Sequence, residues 1–527
     1  MDTTIMKNII TKLKEGWLTK KTNTTTITLG TAICLVALYS MFEKLMKPPK
    51  QLRHLPYVPY TSFIKSLLKR KPYGFLSREL YMPLIDKDHE IFVKQDMLGW
   101  TVQVVNPEIA KQIFLKADLF PKANLSKQKG TLRQNLLGTD NIVFTHDKQL
   151  WKKHRLLLNP AFHRSMPVKL FASLSHKMFK VMDETIDKPI DATLFMENFT
   201  LDVIGKAGFD FDFDSITNLE NEWVQTYHTI RKSLQDPIFF LLPFLEKRFL
   251  WLFPDRQHKH HLVTKFHNML DDIITNKRRI LENQKMNHIE DAEKDLLTLM
   301  LESELLGEGS LTNEELKSDL NIFFLAGHDT TANTLSSIIY YLAKHPEIQQ
   351  RAREEAISIL GDDAHDVYPT IDQLKEFTFI NQVIKETLRL NGPLIALTPR
   401  ITAQDTELGG GIVPKGTPIV VNIYDLHHSK YVWKDPEIFN PDRFAKGGEA
   451  EQKNREGLTW VPFASGPRMC IGMNFSLAEQ RVLISSLLRK YEWRLPEDSI
   501  HKEVLITNGV GGILTPKELK INFIRRY

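Results

Sequence analysis

A single thiol sits in the stretch of this chain that is richest in possible chemistry. Phe463-Ala-Ser-Gly466-Pro-Arg468-Met-Cys470-Ile-Gly472 is a Gly/Pro-rich loop opening onto a helical run from Met473 to Lys490. A helix N-terminus stabilises a thiolate through its amide dipoles. Glycines at 466 and 472 let the backbone approach a flat ligand, and backbone N–H groups can then tune the sulfur. Arg468 can pair with an anion on that ligand. A second group is Ala326-Gly327-His328-Asp329-Thr330-Thr331, midway along a long helical pattern. Glycine in a helix interior costs about 1 kcal/mol against alanine, so a steric reason is expected for Gly327. Asp329 and Thr330 offer a carboxylate and a hydroxyl for proton transfer. The alternative for Thr330 is a bond back to a helix carbonyl. Glu386-Thr-Leu-Arg389 puts opposite charges on one helix face. Trp151-Lys-Lys-His-Arg155 puts an indole N–H and a guanidinium on another.

The elements that must position these residues are mainly helical. Thr312-Asn-Glu-Glu315 is a capping box. It predicts a helix over 313–344, ended by His345-Pro346 and roughly 48 Å long at the usual rise. A second box, Thr370-Ile-Asp-Gln373, predicts a helix running to about Leu390. Leu408-Gly-Gly-Gly-Ile412 followed by Thr417–Ile423 predicts a hairpin in a small sheet. No strand–turn–helix unit surrounds the glycines, so a dinucleotide fingerprint is excluded. From about Pro56 onward there is no Gly/Ser linker, low-complexity tract or fixed-period repeat, so one large domain over 57–527 is expected.

Composition narrows the classes. The chain has 527 residues, 42% hydrophobic and 25% charged, with a net charge of +5. That is ordinary globular composition, and the charge is too mild for a nucleic-acid footprint. The only cysteines are Cys34 and Cys470, which excludes an intrachain disulfide framework, a zinc ribbon and a Cys-ligated iron–sulfur cluster. Residues 1–21 form a tail with five lysines. Residues 22–42 are uncharged and long enough for a span of roughly 30 Å, although the strongly apolar part, 27–42, is short. A membrane anchor is the expectation and a signal peptide the rival. A basic, Pro-rich linker follows over 43–56. The Lys/Arg bias is nearly symmetric and does not settle orientation.

The ten-residue cysteine loop resembles the haem-binding loop of the cytochrome P-450 superfamily, F-x-x-G-x-R-x-C-x-G, with every specified position present. Further motifs of that family occur in the right order. The resemblance implies the cytochrome P-450 fold, mainly α with small β-sheets, as a single haem domain behind an N-terminal transmembrane helix. It implies haem b as cofactor, with Cys470 as the thiolate ligand of the iron and Phe463, Arg468 and Gly472 in the loop around it. The 326–331 segment resembles the family's oxygen-activation motif, which makes Asp329 and Thr330 the proton relay. His328 occupies an unspecified position and is not assigned the iron. Glu386 and Arg389 match E-x-x-R. With Arg443 of Phe439-Asn-Pro-Asp-Arg-Phe444 they form a structural charge cluster under the haem. Trp151 and Arg155 match W-x-x-x-R, and Arg400 matches another cationic position. Together with Arg468 these would hold the haem propionates.

The implied reaction is insertion of one atom of O₂ into a C–H bond of a lipophilic substrate: a fatty acid, steroid or xenobiotic. The pocket is expected from 136–144, 323–331, 394–397 and the turn near Val510. Electrons must come from elsewhere, because no flavin or nicotinamide site is visible. The resemblance implies an NADPH-dependent cytochrome reductase, with cytochrome b5 as a second donor, at the endoplasmic reticulum membrane with the catalytic domain cytosolic. Its general look is fungal and microsomal. Lys148, Lys152, Lys153, Arg481, Arg489 and Lys490 are the expected docking face. The aromatic stretch 238–253 is either a second membrane contact or core. His258, His260 and His261 read as a solvated basic loop. Two competing functions share the fold: a reductase-independent isomerase or dehydratase, and a non-catalytic haem protein.

Overall fold

The computed structural model describes residues 24–527 apart from positions 70, 86–89, 97, 126–128, 139, 235, 237, 240–241, 284–289, 454–456 and 509–511. The chain runs through helices α1 (Thr24–Met46), α2 (Lys148–Arg164), α3 (Val168–Glu184), α4 (Ala192–Phe209), α5 (Glu222–Ser233), α6 (Pro254–Asn283), α7 (Leu296–Leu305), α8 (Asn313–Lys344), α9 (Pro346–Leu360), α10 (Phe379–Asn391) and α11 (Met473–Lys490), with shorter turns between them. The strands are β1 (Ile91–Asp96), β2 (Gly99–Val104), β3 (Ile190–Asp191), β4 (Arg400–Ile401), β5 (Thr406–Leu408), β6 (Gly411–Val413), β7 (Pro418–Val421), β8 (Tyr491–Arg494) and β9 (Lys520–Arg525). They form a four-stranded sheet β1-β2-β7-β4, a three-stranded sheet β3-β9-β8 and the hairpin β5-β6. The mainly α architecture with small sheets is therefore observed.

The central element is α8. Thr312 and Glu315 close the capping box reciprocally, at 3.2 and 2.7 Å, and the helix ends at Lys344, before Pro346. It is buried along most of its length. Its polar residues bond back to the preceding turn, as Ser336 does to Ala332 and Ser337 to Asn333 (both 2.8 Å), so they leave few stray polar atoms. α4 lies against it and is buried nearly all round, as a helix without a polar face must be. One apolar core joins α3, α4, α8, α10 and α11. A second joins α2, α4, α5, α6, α7 and the first half of α8.

Several expectations need correction. The segment after Thr370 is two helices, Ile371–Glu376 and α10, not one. The Glu355 carboxylate of α9 accepts the amides of Thr378, Phe379 and Ile380 at 2.7–2.8 Å and starts a new helix there. The glycine hairpin pairs β5 with β6 through Gly409 and Gly410, both at positive φ. β7 instead joins the larger sheet. The histidines at 258, 260 and 261 lie on the first turns of α6, and His260 bonds Glu246 at 2.9 Å. Among the described residues no three His, Cys, Asp or Glu side chains, these histidines included, gather as a metal site. The 1–21 tail lies outside the described residues. The expected anchor falls on α1, yet no helix among the described residues is long and apolar enough to cross a membrane. Threonines at its start, with Glu43 and Lys44 near its end, dilute the apolar run.

Candidate active site

The cysteine loop is built by its neighbours. The Cys470 amide donates to the Phe463 carbonyl at 3.0 Å, and the Met469 amide to the Gly466 carbonyl at 3.0 Å. Gly466 sits at φ 70°, and a Cβ there would meet the Phe114 carbonyl oxygen at 2.9 Å, so this turn needs glycine. Gly472 is the N-cap of α11, and its N–H bonds the Cys470 sulfur. Burial raises the thiol pKa; that N–H and Arg155 pull it back. The thiol is nevertheless solvent-accessible. In the middle of α8, among mostly buried neighbours, Ala326 is exposed and Thr330 half-buried.

Four cations gather beside the loop. Arg155 donates to the carbonyls of Met469 and Pro467 at 2.6 and 3.1 Å. Arg468 lies over the Trp151 ring at 4.3 Å and donates to the Ile142 carbonyl at 3.4 Å. Arg400 donates to the Phe120 carbonyl at 3.0 Å. Lys122 donates to the Thr398 hydroxyl. Burial, with Arg400 and Arg155, brings Arg468 down to about 10. Burial, with Arg400 and Arg468, holds Lys122 well below the usual lysine range. Among the described residues none of the four is paired with a carboxylate. A cluster of like charges with no counter-ion fits an absent dianion, which is what two propionates supply. The accessible thiolate donor, the bare Ala326 and this cluster together fit haem. Sequence reasoning missed Lys122, because no local motif marks it.

Asp329 and Thr330 do not meet. Neighbours on a helix point about 100° apart. The Thr330 hydroxyl donates to the Ala326 carbonyl at 2.6 Å, the back-bonded alternative. Asp329 is buried on the far side against α5, where Arg231 reaches it at 3.3 Å. Arg231 also grips Glu197 of α4 with two bonds of 2.6 and 2.7 Å. Burial and the Glu197 charge outweigh Arg231 and push Asp329 up to about 6. His328 is buried, donating or accepting at the Thr200 hydroxyl at 2.8 Å, and burial keeps it neutral. Gly327 has the steric reason expected of it: a Cβ there would meet Ile204 of α4 at 3.1 Å.

Glu386, Arg389 and Arg443 come together in full burial. Arg389 holds both carboxylate oxygens of Glu386 at 2.8 Å, and Arg443 approaches one at 3.3 Å. Arg389 also donates to the His427 carbonyl at 2.8 Å, and His427 Nε2 accepts the Val461 amide at 3.1 Å. This carries the cluster to the start of the cysteine loop. Of the expected pocket, Leu136 and Ile142 are buried, Leu394 to Leu397 bracket the sheet edge, and Val510 lies outside the described residues. The docking face shrinks. Arg489 is buried and donates to the carbonyls of Gly361, Asp363 and His365 at 2.7–3.2 Å. Arg481 is half-buried and donates to Asn381 at 2.8 Å, and Lys490 is paired with Asp366 at 3.0 Å. Lys148, Lys152 and Lys153 are exposed on α2, with Lys148 paired to Asp118 at 2.6 Å and Lys153 to Glu315 at 2.8 Å on the surface.

Comparison with known proteins agrees with this geometry. The family model described as Cytochrome P450 matches residues 85–523. The chain is 31% identical to cytochrome P450 4F5 of Rattus norvegicus over 397 residues, covering 72% of this chain and 73% of that one. It is 29% identical to the 11-oxo-beta-amyrin 30-oxidase of Glycyrrhiza uralensis, covering 76% and 75%. A crystal structure of a cytochrome P450DA mutant haem domain superposes with a TM-score of 0.71 at 22% identity, over 86% of this chain and 92% of that one. The chain therefore belongs to the cytochrome P450 family: it is a monooxygenase oxidoreductase whose cofactor is haem b.

Proposed function

We propose that this chain is a membrane-associated haem-thiolate monooxygenase that hydroxylates a fatty acid, steroid or xenobiotic. The carrying observation is the exposed Cys470 in its Gly/Pro loop, with Ala326 exposed on α8 and four cations beside the loop that have no carboxylate partner among the described residues. When bound, the haem supplies the iron that activates O₂. In this reading Cys470 would ligate the iron, and the Gly472 N–H would moderate its charge. Trp151, Arg155, Arg400 and Arg468 would hold the propionates, and Phe463 would pack against the haem. Glu386, Arg389 and Arg443 keep the loop in place and touch no substrate. Thr330, released from its back-bond, would hold a proton donor. Asp329 exchanges protons toward Arg231 and Glu197.

The apolar α8 face suits a lipophilic substrate. Membrane association is supported by two sets of exposed apolar side chains: Leu35, Val36, Tyr39 and Phe42 on α1, and Ile238, Leu242, Phe244, Phe249, Trp251 and Leu252 further on. Single-pass anchoring in the endoplasmic reticulum, a cytosolic catalytic domain, an NADPH-dependent reductase and cytochrome b5 belong to the same reading and rest on the family resemblance. Lys148, Lys152 and Lys153 are the docking cations it retains. The test is Cys470→Ala. It should abolish the thiolate-type spectrum of the reduced carbon-monoxide complex; an unchanged spectrum would sink the assignment. Titration of the ferric protein with long-chain fatty acids and steroids then sorts the substrate class by its spin-state shift.

A further inference from the structure

One buried His–Asp contact has no part in the chemistry above. His154 lies on α2 between Trp151 and Arg155. Its Nδ1 is 2.5 Å from Asp319 Oδ2 of α8, and both side chains are fully enclosed. Desolvation offsets much of the attraction in such a pair, so stability alone is a weak reason for it. Its connections say more. Asp319 Oδ1 accepts the Ile142 amide at 2.8 Å, and the carbonyl of the same Ile142 accepts Arg468 at 3.4 Å. Asn321 donates to the Leu136 carbonyl. Gly138, at φ 66°, lies so close to Ser318 that a Cβ would sit 2.9 Å from its hydroxyl. One turn of α8 therefore grips residues 136–142 at three points. Among the described residues, Ile142 is the hydrogen-bond acceptor that Arg468 has. Without it, Lys122, Arg155 and Arg400 would push this guanidinium outward.

We propose that Asp319 is a positioning residue: with His154 as its partner, it fixes Ile142 so that Ile142 aims Arg468 at the propionate end of the haem. The segment expected from sequence to line the pocket thereby also sets a cofactor-binding cation. This rests on the reading of Arg468 as a propionate ligand.

The test measures haem transfer from the full-length holoprotein to excess apomyoglobin. The double variant H154L/D319L removes both polar partners together, so it leaves neither one unpaired in the core. It should release haem about tenfold faster, as loss of a supporting contact around a bound metal centre commonly does. Asp319→Asn keeps an oxygen acceptor for the Ile142 amide and should stay near the wild-type rate. Asp319→Glu keeps the charge but displaces the acceptor; should the double variant not fold, it carries the same expectation of fast release. Arg468→Ala should release haem at least as fast, and adding the double variant to it should change little, because both act through one contact. Wild-type release from H154L/D319L, or its full effect on top of Arg468→Ala, overturns the inference while leaving the propionate reading intact. Wild-type release from Arg468→Ala overturns that reading and this inference with it.

Discussion

Two groups of charges flank the cysteine loop, and they are opposites. Around Glu386 every charge has an internal answer: Arg389 and Arg443 share its carboxylate, and Arg443 also reaches Glu449. Around Arg468 there are four cations and no carboxylate among the described residues. The first group is complete in the folded chain alone. The second has no internal counter-charge, and on the proposed reading a dianion completes it. Burial differs as well: Glu386, Arg389 and Arg443 are enclosed, whereas Lys122, Arg155 and Arg468 are half-buried beside a buried Arg400. Charge balance is the sharper contrast. Asp329 falls between them, with one guanidinium serving two carboxylates, and the imbalance shows as its raised pKa.

The contrast can be broken by mutation. Glu386→Ala strands the buried Arg389 guanidinium and leaves Arg443 with Glu449 alone. It should cost about 3–5 kcal/mol and yield little haem-loaded protein, read by denaturant midpoint and by Soret absorbance per chain. A fully loaded, wild-type-stable variant would show that the closed cluster is dispensable. Asp329→Asn acts through pH. An acid with a native pKa above its unfolded value contributes stability below about pH 4 and loses it as pH rises through about 6. The variant should flatten that decline by on the order of 2 kcal/mol, seen in urea midpoints at pH 4 and pH 7. Equal slopes would mean that Asp329 does not titrate there. Arg468→Ala should do to the open cluster the reverse of what Glu386→Ala does to the closed one. The haem-free protein should be no less stable, since a repulsive charge is gone, while haem affinity falls about tenfold. Thr330→Ala should have the smallest effect on folding. It should raise the fraction of NADPH consumption that ends as peroxide, and unchanged coupling would remove Thr330 from proton delivery.

What was legible in sequence follows from where each cause lies. α8 and α11 are readable because their caps and stops are local: Thr312 with Glu315, Pro346, and Gly472. The loop 463–472 is readable because its geometry is made by its own glycines and proline. The break before Phe379 is not, because Glu355 supplies the cap from another helix. Lys122, Arg231 and Glu197 are equally silent, since each gains meaning only from partners far along the chain. Gly327 is half legible: its motif announces a steric reason, but the neighbour, Ile204, lies on another helix. Arg489, expected outside, was drawn inward by carbonyls at 361–365.

The apolar side chains between Ile238 and Leu252 also govern how the protein must be handled. Six large ones are exposed within fifteen positions, Trp251 at 68%. Cutting away α1 to obtain a water-soluble form would leave this second adhesive patch untouched. The shortened protein should still self-associate without detergent, and polar replacements at Trp251 and Leu252 are where monodispersity is to be gained.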